Sequence, residues 1–273
     1  MRPLAVAGYF YPKEKKELEE LLDKCFAEGK EHAQELSANA GVAPHAGYIY
    51  SGAAAACTFL SMKELEKAET VVIFGPNHSG TGSLVSLSQD DWDTPLGAVR
   101  NDKEFGKVLQ AGSKFVDIDE TAHLFEHSIE VQLPLIMRVN PEAKIVPVCM
   151  MDQSLEAAAD AAEAVLRAEK ETGRKVAVVG SSDFSHYLST DEAKKNDEAA
   201  LSFITGLDEV EFTKRVREKS WSICGFGPIA AVMHYSKNKG AKEGKLLWYT
   251  HSGHASGDFE RVVAYASVVF PYG

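Results

Sequence analysis

Three apolar runs in this chain break into turns that carry imidazole or carboxylate groups. His45 stands in A-P-H-A-G (43–47), His78 in G-P-N-H-S-G (75–80), and Asp183 with His186 in G-S-S-D-F-S-H (180–186). Proline fixes φ and glycine admits backbone conformations closed to other residues, so these are turns of specified shape. Neutral imidazole is a common metal ligand, and it needs the rigid approach that such turns supply. A thiol follows in S-W-S-I-C-G-F-G-P-I (220–229), where Cys224 sits in a glycine-rich turn leading into an apolar helix. A helix N-terminus favours the thiolate, which is the form that binds metal. Taken singly, each of these residues is as well explained by a loop histidine or a small buried thiol. Their repetition at strand ends is the stronger signal, because open α/β sheets bind ligands beyond the carboxyl ends of their strands.

Other histidines compete for the same role. H-L-F-E-H-S-I-E-V-Q-L-P (123–134) places His123 and His127 four apart, so that on a helix they would share a face, with Glu126 and Glu130 nearby. The order is not the H-E-x-x-H of a zinc protease. His127 and Glu126 instead suit a pocket mouth, as acid, base or substrate contacts. T-H-S-G-H (250–254) offers His251 and His254, but its motif holds no third ligand. The glycine-rich G-P-N-H-S-G-T-G lacks the Lys-Ser/Thr of a phosphate-binding loop and the spacing of a dinucleotide fingerprint. No G-x-S-x-G nucleophile elbow is present, which argues against an α/β-hydrolase.

The elements that must position these groups alternate. Helical patterns lie at 13–33, 53–65, 102–112, 128–139, 155–171 and 197–205, and β-rich runs at 70–74, 84–88, 144–150, 175–180, 245–250 and 261–270. This alternation predicts an α/β fold, and 273 residues without a convincing linker predict one large domain. A formal charge of −11 opposes binding to nucleic acid phosphates and anionic membrane surfaces. No run approaches the roughly 20 apolar residues of a membrane span, and the N-terminal stretch is too short for a secretory core. Cys25, Cys57, Cys149 and Cys224 are widely separated and form no C-x-x-C pair, so a reducing cytoplasm is the expected location.

Five motifs in order, PHAGYIYSG, GPNHSG, EHSIEVQLPL, SSDFSHY and CGFGPI, spread from residue 43 to 229. Together they resemble the Memo family, whose prokaryotic members are called AmmeMemoRadiSam system protein B. The resemblance implies one domain over 1–273, with a central mixed sheet flanked by helices, similar to the class III extradiol dioxygenases. It implies metal binding by His45, His78 and Cys224, with His127, Asp183 and His186 as catalytic groups lining the same pocket. A thiolate ligand suits Zn or Cu as well as Fe(II), and the kinship to non-haem iron enzymes favours Fe(II). The chain departs from the family at 252–254, which read Ser-Gly-His where members often have Ser-Gly-Asp.

Three expectations follow. The first is a metal-dependent redox enzyme of unknown substrate, in which His186 or His127 moves protons and Asp183 orients an imidazole. The second is a metal-free hydrolase with Cys224 as nucleophile, His186 as base and Asp183 as orienter. The third is a non-catalytic protein that binds a small molecule or peptide, as animal members are described as signalling and phosphopeptide-binding proteins. The family's name also implies association with AMMECR1-type and radical SAM proteins.

Overall fold

The computed structural model describes residues 1–272. Along the chain come α1 (Lys15–His32), β1 (Ala40–Ala43), α2 (Tyr48–Ser61), β2 (Thr70–Pro76), β3 (Val85–Leu87), α3 (Lys103–Gly112) and β4 (Val116–Ile118). They are followed by α4 (Leu133–Val139), β5 (Lys144–Met150), α5 (Leu155–Thr172), β6 (Val176–Ser181), β7 (His186–Leu188) and α6 (Thr190–Thr205). The last elements are α7 (Glu209–Lys219), α8 (Phe226–Asn238), β8 (Lys245–His251) and β9 (Val262–Val269).

All nine strands join one mixed sheet in the order β4-β3-β5-β2-β6-β1-β9-β7, with β8 paired to β9. The middle of the sheet is parallel: β5 with β2, β2 with β6, and β6 with β1. Antiparallel pairing enters through β3 on β5 and through β9 on β1, β7 and β8, while the edge strand β4 runs parallel to β3. Successive strand residues point to opposite faces. Val72, Phe74, Val146 and Val178 pack into one apolar cluster with α3, α5 and α8, whereas Val71, Ile73, Ile145 and Val179 pack into a second with α1, α2 and α4. Both faces are therefore covered, and this is why the central strands read as unbroken apolar runs.

The parallel register determines where the chemistry goes. Ala43 lies opposite Ser181, and Phe74 opposite Gly180, so β1, β6 and β2 end together. The turns that follow these three strands carry His45, Asp183 and His78, and they leave the sheet along one edge.

The sequence pattern misplaced some boundaries. Helix α2 begins at Tyr48, and α7 is a separate helix that no pattern had marked. The stretch 128–139 is not one helix: a 3-10 turn at Glu130–Gln132 precedes α4, whose first turn contains Pro134. Among the described residues no helix is long and apolar enough to cross a membrane.

Candidate metal centre

His45, His78 and His127 each present a ring nitrogen within 4.8 Å of the others. The His78 and His127 rings stack with centroids 4.6 Å apart, and His45 stands edge-on to both at 5.3 and 5.4 Å. His45 is buried, while His78 and His127 face partly outward.

Hydrogen bonding determines which nitrogens are available. Ser181 Oγ lies 2.7 Å from the Ser128 carbonyl, which can only accept, so the hydroxyl proton is committed there. Ser181 Oγ therefore accepts from His45 Nδ1 at 2.8 Å and from Gln132 Nε2 at 2.8 Å. This makes His45 the Nδ1–H tautomer, with an unprotonated Nε2 that faces Cys224 Sγ.

Glu126 does the same for His78. Its carboxylate takes His78 Nδ1–H at 2.9 Å and also the backbone N–H groups of His78, His127 and Ser128 at 2.5, 2.9 and 2.8 Å. Burial pushes the Glu126 carboxyl up, but the histidines and the amides outweigh it and hold the pKa at about 2. The carboxylate is thus an acceptor throughout the ordinary pH range. Burial, with the neighbouring histidines, holds His45 well below the ordinary imidazole value, and burial lowers His127 to about 4. Rings whose outer nitrogens are tied to a hydroxyl and a carboxylate, as those of His45 and His78 are, turn their other nitrogens inward in the way a cation requires of such ligands. The residues present therefore fit a divalent metal of the imidazole-preferring kind.

Cys224 adjoins this group. Its Sγ lies 3.2 Å from His45 Nε2 and accepts the Asp183 N–H at 3.2 Å. Close approach puts it there: a Cβ on Gly225 would lie 2.4 Å from Ser181 O and 2.7 Å from Ser182 Cβ. Burial, then the charge of Asp183, pushes the thiol pKa up, so helix α8 alone does not generate a thiolate.

Asp183 is buried, and its Oδ1 accepts the backbone N–H of His45 at 2.8 Å. It thus holds the β1 turn in place instead of orienting an imidazole ring. Burial raises its pKa to about 6 against that hydrogen bond. His186, half-buried at the start of β7, donates Nδ1–H to the Ser222 carbonyl at 2.7 Å, leaving its Nε2 free. It stands outside the three-histidine group. The imidazole in contact with Cys224 is that of His45.

The remaining histidines lie elsewhere. His123 does not share a helix face with His127; it is buried, bonded to Ser86 O at 3.1 Å and edge-on to Trp92. His251 and His254 stack on each other at 4.2 Å, apart from the centre. Sequence reasoning missed Ser181 and Gln132, although Ser181 was visible as the last polar residue of β6. It recognised Glu126 as a pocket residue but not as the group that ties three backbone amides and an imidazole together.

A family model described as Memo-like protein matches residues 2–269. The chain is 44% identical over 273 residues to a MEMO1 family protein of Methanococcoides burtonii, covering 98% of this chain and 99% of that one. It is 43% identical to one from Methanopyrus kandleri, covering 100% and 99% of the two chains. A third, from Nitrosopumilus maritimus, is 39% identical over 99% of both.

Proposed function

This chain belongs to the Memo-like protein family, and from that premise and the geometry of its strand-end turns we propose that it is a metal-dependent redox enzyme acting on a small ligand. The observation that carries this reading is the convergence of the His45, His78 and His127 nitrogens, two of them with their other ring nitrogen already engaged. These three residues hold the cation, and Cys224 lends a fourth donor once its proton is withdrawn. Fe(II) is the favoured ion, with Zn and Cu as the alternatives that a thiol donor admits. When bound, the metal supplies Lewis acidity and, if it is iron or copper, redox chemistry.

The protein's own groups have separable roles. Ser181 and Glu126 keep the His45 and His78 rings in one tautomer. Asp183 fixes the His45 backbone and, with a pKa near 6, is able to exchange a proton with a ligand. His186, with Nε2 unengaged, is the second proton carrier. Association with AMMECR1-type and radical SAM proteins, and a cytoplasmic location suited to the free thiols of Cys25, Cys57, Cys149 and Cys224, belong to the same proposal.

One observation favours a second reading. Cys224 Sγ and His45 Nε2 are close enough for a nucleophile–base pair, so a cysteine hydrolase would use His45 as base.

Metal analysis of protein purified without oxygen or chelator, followed by Fe(II) and Zn(II) titration, decides between them. Wild type is expected to hold about one metal per chain, and His45→Ala, His78→Ala and His127→Ala to lose it while remaining folded. His251→Ala and His254→Ala are expected to retain it. Equal metal content in all five variants would overturn the centre.

A further inference from the structure

We propose that Arg2 is a positioning residue of the histidine centre, acting through the turn that carries Glu126 and His127; this rests on the reading of that centre as a metal site. Arg2 touches none of the three histidine rings. Its guanidinium is buried and clamps the turn at both ends: Nε donates to the His123 carbonyl at 2.8 Å and Nη2 to the Glu126 carbonyl at 2.6 Å. Nη1 pairs with the buried carboxylate of Glu130, and the Trp92 ring lies 4.1 Å from the guanidinium carbon.

Glu130 extends the clamp along the first residues of the chain. Its carboxylate also accepts from Ala5 N at 2.9 Å, Val6 N at 3.0 Å and the Tyr11 hydroxyl at 2.6 Å. The segment held this way delivers Phe10 against His127, with ring centroids 4.7 Å apart, while the Phe10 carbonyl accepts from Tyr48 N at 2.8 Å. Residues 123–130 are therefore set from outside by Arg2 and read from inside by Glu126, whose carboxylate fixes His78 and His127. His45 is held separately, by Ser181 and Asp183. Three different nitrogens of the planar guanidinium each reach one of these partners, a spread that the single ammonium nitrogen of lysine does not reproduce.

The test uses full-length protein with ¹⁵N-labelled histidine, metal-free for ring-nitrogen spectra and then titrated with Zn(II). In Arg2→Met and Arg2→Lys the His78 and His127 ring signals are expected to shift or broaden while those of His45 stay. Zn(II) is expected to bind about 10–100-fold more weakly, as when a group that orients a ligand is lost. Arg2→Lys keeps a charge for Glu130, so it should regain melting temperature over Arg2→Met without regaining Zn(II) affinity. If Arg2→Met does not fold, Arg2→Lys alone carries both measurements. Folded variants with unchanged ring signals and wild-type Zn(II) affinity, whatever their melting temperature, would overturn the proposal. Wild type that takes up no metal overturns the metal reading instead, and the metal-free spectra still decide the role of Arg2.

Discussion

The side chain on which the two functional readings differ most is Cys224. Burial and the adjacent Asp183 favour its neutral thiol, although His45 Nε2 is within reach. In metal-free protein, alkylation of Cys224 at pH 7 should therefore be slow and should accelerate only as the pH rises well into the alkaline range. Mass spectrometry with Cys25, Cys57 and Cys149 as internal controls checks this, since all three are buried. Added Fe(II) or Zn(II) should suppress labelling further, because a coordinated sulfur has its lone pair engaged. Fast labelling near pH 6–7 that is lost in His45→Ala would instead identify a thiolate–imidazolium pair and a hydrolase.

At the scale of elements, the strand-to-turn junctions were legible because strand and turn residues differ sharply in type. V-V-I-F-G-P and V-A-V-V-G-S-S announce where β2 and β6 stop, and the capping residues Asp102 and Ser154 accept the N–H groups of Phe105 and Ala157 at the starts of α3 and α5. The segment 121–132 was not legible. Two 3-10 turns and the loop between them have no periodicity, and their shape comes from buried bonds to residues far away in sequence, Arg2 and His78 among them. This is why His127 was read as a pocket group beside the ligands, although it stands among the site nitrogens themselves. The junction at Gly225 can be tested directly. Its φ of −111° is open to any residue, so glycine serves there for room alone. Gly225→Ala forces the Cys224 turn off the end of β6, and urea unfolding should show a loss of about 1–3 kcal/mol, the usual cost of overpacking. An unchanged stability would mean that the turn can yield without cost.

Over the whole molecule, the pH response of stability should carry the signature of a carboxyl remote from the centre. Asp197 on α6 is buried and accepts from Ser185 Oγ at 2.7 Å and Tyr249 Oη at 2.7 Å. Burial raises its pKa to about 6 despite those bonds. A carboxyl raised above its unfolded value is stabilising while protonated in the fold, so its cost grows as the pH climbs from about 4 and is complete above about 6. The span corresponds to about 3 kcal/mol. Asp183 and the buried histidines His45 and His127 also titrate differently in the folded and unfolded chain, so the Asp197 contribution is read as a difference. In urea unfolding of metal-free protein from pH 4 to 8, Asp197→Asn should gain stability relative to wild type as the pH rises to about 6. A difference that does not change with pH would remove Asp197 from the response.

The pairing of β1 has a consequence for how the chain reaches this state. β1 occupies residues 40–43, but its neighbours in the sheet are β6 at 176–181 and β9 at 262–269. The strand that leads into the His45 turn has no partner until residues more than a hundred positions later have been made. Refolding should accordingly be slow, since long loops must close before any central parallel pair rewards them. During synthesis β1 would wait as an unpaired apolar edge, the state in which chains of this topology are most exposed to aggregation and most in need of a chaperone.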